Sequence, residues 1–357
     1  MRGATLVAGG QAIAEPHLRG ASDDTEASRQ WGIDLVDREP AETVWLAAPK
    51  TTHALFIAPR ALQAGLALFR LPGRTDESPV REDVARWQGV RAAALSATYL
   101  VVNRVSMDLD IDPEELEVLE PRLYGPNEDR RPILQITDAL VNGSGFCRNL
   151  GSGDGGRMPR IVGILSNMIN RPDEYPLRDL SPDPAETRGR DKDHSGCDTA
   201  CYRCLLRYGN QAYHGLLDWQ LGLTYLRSIL DPTFDCGLSD STAFTTFAGL
   251  SKWRPMAIRS AQEMARNFHG EARWFADGAV PGFRIASGMG KRRRLSPWVL
   301  VSHPLWDWDR EGVGGLGALL ARAAEEATVE GVVPLSWDTF NLLRRPVQVR
   351  EWIVRAS

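Results

Sequence analysis

The stretch His194-Ser-Gly-Cys197-Asp-Thr-Ala-Cys201-Tyr-Arg-Cys204 decides how the middle of this chain folds. Its spacing is H-x2-C-x3-C-x2-C. Two cysteines separated by two or three residues let a single turn of backbone present both sulfurs to one ion, and two such spacings overlap here. Zinc takes thiolate and imidazole ligands at the corners of a tetrahedron. Three cysteines and one histidine fill all four corners and leave none for water, so the spacing predicts one structural, non-catalytic zinc ion per chain on His194, Cys197, Cys201 and Cys204. His214, in Tyr208-Gly-Asn-Gln-Ala-Tyr213-His214, is a workable alternative fourth ligand. Cys147 could arrive from an earlier glycine turn, whereas Cys236 follows a helix that points away. A redox role for Cys201-Tyr-Arg-Cys204 is disfavoured, because Cys197 stands close by and no strand-then-helix thioredoxin pattern brackets the pair.

The rest of the composition agrees with metal ligation in a reducing compartment. Five cysteines is an odd number, which does not suit a disulfide framework. The chain has 357 residues, 43% of them hydrophobic and 25% charged, enough for two or three domains with cores of their own. No run of eighteen apolar residues is present, and the first twenty residues lack the apolar core of a secretory signal, so a cytoplasmic protein with no membrane contact is expected. A formal charge of -4 argues against a protein that coats nucleic acid over its whole surface. Any such contact is local, and the candidates are Lys291, Arg292, Arg293 and Arg294, with Arg344 and Arg345 beside Arg350. A basic run of this length is also what a solvated loop looks like.

Working outward from the cysteines, residues 1–30 read as a flexible arm rich in Gly, Ala and Asp. Strand-like composition follows at Glu42–Leu46, Ala54–Ile57 and Leu66–Leu71, punctuated by Pro49, Pro59 and Pro72. Val84, Trp87, Arg91, Leu95, Thr98, Val102 and Val105 recur at three-to-four spacing behind a Ser78-Pro79 start, and predict a long core helix. Asp112-Pro113-Glu114-Glu115 repeats the cap-Pro-acid pattern ahead of a short apolar-alternating segment, Leu116–Leu119. Ile133–Asp138 reads as a strand, and Asn142-Gly-Ser-Gly145-Phe146 as a tight turn feeding a helix. With no Lys-Ser/Thr after its glycines, that turn is a poor phosphate cradle. Residues 171–193, dense in Pro, Asp and Arg, form a linker. Trp219, Leu223, Leu226 and Leu230 mark one helix face, ended by Asp231-Pro232. From about Trp253, a helix at 255–268, strands at 273–275, 283–286 and 297–301 and a helix at 316–327 predict a second α+β domain. The fold class is α+β, with domains at 31–240 and 250–357.

At these residues the chain resembles the MrfA-like zinc-binding domain family, a helicase-associated domain of unknown function that includes DrmB-like antiphage-defence and DNA-repair accessory proteins. The segment CDTACYRCLLRYGNQAYHGLLDWQLGLTYL is similar to the family's cysteine knuckle and following helix. The Asp-Pro-Glu segment at 109–116 and the strand and glycine turn at 136–146 are similar too. Ser195 stands where the cysteine-only members carry their fourth ligand, and His194 beside it is the substitute. The resemblance covers roughly residues 40–231. It implies a zinc-binding accessory subunit that holds DNA, single-stranded or at a duplex junction, and assembles with a superfamily-two helicase in antiphage defence or repair. No motor is expected in this chain, since at Gly290-Lys291 the phosphate-loop pattern has Ile285 for its first glycine and Arg292 for its Ser/Thr.

The block beyond residue 250 lies outside the resemblance. Trp298, Trp306, Trp308 and Trp337 could stack on bases there, although core packing is the commoner use of tryptophan. A metal nuclease built on Asp307, Asp309 and Lys291 is the alternative from another class, and it lacks the clustered carboxylates such chemistry needs. A pure assembly scaffold is the third reading. His17, His53, His269 and His303 are expected to be hydrogen-bonded surface or core residues.

Overall fold

The computed structural model describes residues 51–59, 61, 63, 65–71, 85–125, 131–153, 158–180, 197, 199–238, 253–275, 280–287, 294–308, 318–329 and 331–356, together with short strands before residue 51. Two units are distinguished, Met1–Thr52 and His53–Ser357. In the first, β1 (Thr5–Ala8) pairs antiparallel with β2 (Gln11–Ala12) and with β5 (Trp45–Ala47), and β3 (Leu18–Arg19) pairs with β4 (Asp34–Leu35). The expected arm thus carries strand segments. Their side chains lie outside the described residues.

The second unit opens with β6 (Ala54–Ile57), the strand read from ALFI. The expected strand at Leu66–Leu71 does not form. Leu66 makes one bridge to Trp306, and Leu66, Ala67 and Leu68 are all buried in succession, a pattern that an alternating strand with one wet face cannot give. The predicted long helix is α1 (Gln88–Leu109), closed by Asp110 in the left-handed conformation with its N–H on the Ser106 carbonyl. Its burial departs from the expected stripe: every residue from Gln88 to Ser106 except Arg91 is buried. This explains the alanine run 92–94, because only small side chains let neighbours approach from all sides. Several of the polar residues caught inside are hydrogen-bonded, although the Ser106 hydroxyl is buried without a partner. Thr98 donates to the Ala94 carbonyl at 2.8 Å, and Arg104 holds Asp108, Glu174 and the Tyr175 carbonyl.

Asp112 caps a 3-10 turn at Pro113–Glu115 by accepting from the Glu114 N–H, as the cap-Pro-acid pattern predicts. The segment behind it is a full strand, β7 (Leu116–Tyr124), with an irregularity between Leu119 and Arg122 where Pro121 lacks an N–H to pair. β8 (Arg131–Asp138) lies between β6 and β7, antiparallel to both. The glycine turn then delivers α2 (Phe146–Gly151). Its anchor is Asp138, whose buried carboxylate accepts from the Gly145 and Cys147 N–H groups at 2.7 and 2.9 Å and faces His53 Nδ1 at 3.3 Å. Gly143 is obligatory here, since its φ is +76° and a Cβ would lie 2.2 Å from the His53 ring. Burial opposes ionisation of Asp138, but the donors from Cys147, Gly145 and His53 outweigh it and hold the carboxyl below its ordinary range. A depressed pKa stabilises the fold above the unfolded value of about 4, and that stabilisation is lost as pH falls through the folded value. Asp138→Ala should therefore lose about 2–3 kcal/mol at neutral pH by stranding two buried N–H donors. In urea titrations the gap to the parent should narrow below about pH 4, and an unchanged gap would show that the carboxylate is not the anchor.

Helix α3 (Arg160–Asn170), α4 (Leu177–Leu180) and α5 (Trp219–Leu230) complete the helical layer, with α5 packed along α1. After it, α6 (Trp253–Asn267) covers a sheet built from β9 (Glu271–Phe275), β10 (Val280–Arg284) and β13 (Val299–Ser302), while β11 (Ala286–Ser287) and β12 (Arg294–Leu295) form a side hairpin. These correspond to the expected helix and three strands. Helix α7 (Ala318–Ala327) crosses to β14 (Leu335–Asp338), which pairs parallel to β13, and α8 (Thr339–Arg344) and α9 (Pro346–Arg355) follow. The sequence pattern predicts no helix or strand beyond α7.

The mixed α+β class is the one expected. The boundary expected between 240 and 250 lies outside the described residues, but the blocks on its two sides share packing. Trp306 donates to the Cys236 carbonyl at 2.9 Å, Asn341 donates to the Arg86 carbonyl at 3.2 Å, and α8 touches α1. Among the described residues no helix is long and apolar enough to cross a membrane.

Candidate metal centre

The cysteine segment forms a compact knuckle because its own backbone closes on itself. The Cys201 carbonyl accepts from the N–H groups of Cys204, Leu205 and Leu206 at 3.0, 3.1 and 3.0 Å, and the Cys201 N–H points at Cys204 Sγ, 3.1 Å away. That turn brings the sulfurs together. Cys204 Sγ lies 3.9 Å from Cys197 Sγ and 3.7 Å from Cys201 Sγ. A zinc–sulfur bond of about 2.3 Å in a tetrahedron requires sulfurs about 3.8 Å apart, so both spacings fit one ion at their common centre. Among the described residues this is the one group of three or more potential ligands close enough to share an ion.

The surroundings hold the knuckle from two sides. Asn103, inside α1, binds it twice, donating to the Cys204 carbonyl at 2.7 Å and accepting from Arg207 with its own oxygen, while it also donates to the Tyr175 hydroxyl at 3.0 Å. Helix α5 is hooked to the other end. Trp219 donates its ring N–H to the Cys197 carbonyl at 3.0 Å and its backbone N–H to the Thr199 carbonyl at 2.8 Å. Asp218 caps α5 with its carboxylate and gives its N–H to Ser96 of α1 at 2.8 Å.

The thiols do not behave alike. Burial and the neighbouring sulfurs push the Cys204 thiol up, and burial followed by Cys201 raises Cys197. Burial also opposes ionisation of Cys201, but N–H donors from Arg203 and Cys204 and the adjacent thiols outweigh it, so that its thiol lies below the ordinary value. Zinc would bind all three as thiolates, and a cation at their centre would offset the repulsion that helps raise Cys197 and Cys204. Metal uptake must therefore release protons.

For the fourth corner, His194 lies outside the described residues. His214 is not brought to the sulfurs. Its Nε2 lies 2.9 Å from the Arg207 carbonyl and 3.0 Å from Asn210 Oδ1, and the latter oxygen already accepts from the Arg207 N–H, so Nε2 carries a proton and donates. Cys147 and Cys236 are buried elsewhere, the first beneath the glycine turn and the second against His303 Nδ1 at 3.5 Å.

Of the proposed nucleic-acid residues, Arg294, Arg344 and Arg345 are described. Lys291, Arg292 and Arg293 lie outside the described residues, as do Asp309 and His17. Arg294 is exposed on β12, and Arg344 is exposed with its guanidinium over the Phe340 ring. Arg345 is partly buried near Asp338 and Arg91, and that burial lowers its pKa. Trp298, Trp306 and Trp337 are core residues, and Trp308 is half-buried. Asp307 is fully buried and pairs with Arg70 at 3.4 Å. His53 and His303 have the bonded roles expected, and burial drives His303 down to about 3.

Sequence reasoning missed Asn103, Trp219 and the exposed Tyr202 and Tyr208. For the first two no local signal exists, because their partners lie far away in the chain. The tyrosines had one: residues 199–217 contain no Asp or Glu, in a chain with 46 of them. No family model, curated protein or solved structure matches the chain.

Proposed function

We propose that the protein is a non-catalytic, zinc-organised accessory subunit that binds DNA and assembles with a superfamily-two helicase, in antiphage defence or DNA repair. The single observation behind this reading is the knuckle itself: three sulfurs within 4.8 Å of one another, two of the spacings tetrahedral, in the segment that resembles the MrfA-like zinc-binding domain. A closed site of three thiolates and His194 has no corner for substrate, so its zinc holds structure and performs no chemistry. ATP hydrolysis belongs to the partner.

The purified chain should bind a single-stranded or forked DNA with an affinity that falls as salt rises, and should not hydrolyse ATP. Fluorescence anisotropy against salt, with a phosphate-release assay alongside, measures both. No binding at about 50 mM salt would remove the DNA-holding role. Cutting of DNA in Mg2+ or Mn2+ that is abolished by Asp307→Asn would replace it with the nuclease reading.

A further inference from the structure

Tyrosine normally hides its ring. On this knuckle two do not: Tyr202 is 69% exposed and Tyr208 is 85% exposed. Both stand on backbone that is unusually well fixed, Tyr202 between two cysteines of the metal cluster and Tyr208 just beyond Arg207, whose side chain is tied to Asn103. Tyr202 also has the His214 ring edge-on at 5.7 Å. Arg203 is exposed between them in sequence, and Gln211 is exposed on the next turn. Gly209 and Gly215 have open space where a Cβ would stand, so a ligand can approach the backbone closely.

The charge carried by the loop's own residues has one sign. Residues 199–217 carry Arg203, Arg207 and His214 and no acid. Asp112 and Glu114 do act on Arg207, but that guanidinium is turned inward, and Arg203 is the cation on the outer surface. The exposed large hydrophobic side chains of the loop are the two tyrosines, and its leucines 205 and 217 are buried. Flat aromatic faces on a rigid, cationic, acid-free loop suit successive bases of a single strand, because every base has a face to stack.

We infer that the knuckle is the surface on which single-stranded nucleic acid rests, with Tyr202 and Tyr208 as stacking platforms and Arg203 as a backbone-phosphate contact. This rests on the DNA-holding function proposed above and assigns it to residues 202–208 in place of the basic run at 291–294. The test uses the full zinc-loaded chain and a labelled oligothymidylate of about 20 nucleotides, longer than the site of most single-strand modules.

The double variant Tyr202→Ala/Tyr208→Ala should bind at least about ten-fold more weakly with an unchanged salt slope, since it removes stacking and no counterion release. Tyr202→Phe/Tyr208→Phe should stay within about two-fold of the parent, and Arg203→Ala should lower the salt slope by about one. Zinc content and melting temperature, measured on each variant, show that the fold is intact. If the parent binds and the alanine variant binds equally well, the tyrosines are not the platform and this inference falls while the DNA-holding function stands. If the parent itself does not bind, both fall.

Discussion

Cys204→Ala should abolish zinc binding and unravel the knuckle at residues 197–217, making it the most damaging single substitution in the chain. The lost metal term is large, since closed zinc sites in small peptides are worth on the order of 10 to 16 kcal/mol. A whole domain is stable by only about 5–15 kcal/mol. Part of the knuckle's order comes instead from Asn103 and Trp219, which persist without metal, so a loss of about 5 kcal/mol is expected here rather than complete unfolding. The decisive comparison is with chelation. Parent protein stripped by a chelator should melt where Cys204→Ala melts, and the variant should be indifferent to chelator. Cys236→Ala, a buried cysteine outside the cluster, should keep one zinc and its chelator sensitivity. Retention of a full equivalent of zinc by Cys204→Ala would overturn the assignment. The pH dependence has a fixed sign: thiols raised by burial and mutual repulsion must be deprotonated on metal uptake, so each one costs about ten-fold in affinity per unit fall in pH.

The second large effect is expected far from any ligand. Gly222 is where α5 crosses α1, and a Cβ there would stand 2.9 Å from the Ser96 carbonyl carbon, from Ser96 Cβ and from Leu100 Cδ1. One of these atoms is backbone in the middle of a buried helix, so the clash cannot be relieved by turning a side chain. Gly222→Val should cost about 3 kcal/mol or more, at the upper end for overpacking. The damage reaches the metal as well. Ser96 holds the Asp218 N–H that sets the start of α5, and the next residue, Trp219, holds the Cys197 carbonyl. Pushing the helices apart should weaken zinc affinity together with stability, as read by urea unfolding with and without excess zinc. A variant as stable as the parent would mean that the two helices do not meet at this residue.

Much of this was written locally in the chain. Cysteine spacing depends on a few consecutive residues, and the three sulfurs converge as it predicts. The cap at Asp112 and the strands read at 54–57 and 133–138 also follow from short-range chemistry. The errors lie where tertiary structure overrules pattern. The apolar positions of α1 read as a stripe because sequence shows spacing, not what covers the intervening alanines. Leu66–Leu68 read as a strand because three buried residues in a row have a strand's composition without its alternation. β14 and α8 escaped because Leu335-Ser-Trp-Asp338 is too short to carry a period and acquires its identity by pairing with β13. The knuckle's supports, Asn103 and Trp219, belong to the same class.

Helix α1 has no outside. The sheet of β7 and β8, the helices α3 and α5 and the early turn of α8 each close one of its flanks, and the knuckle sits against Asn103 near its far end. Such a column is bared by a cut at either end: removing Pro304 and Phe340 would open it at Gly89, and removing the metal loop would open it at Asn103. A fragment meant to present the cysteines must therefore keep what packs on both ends of this helix, and such elements are spread over the unit from residue 53 onward.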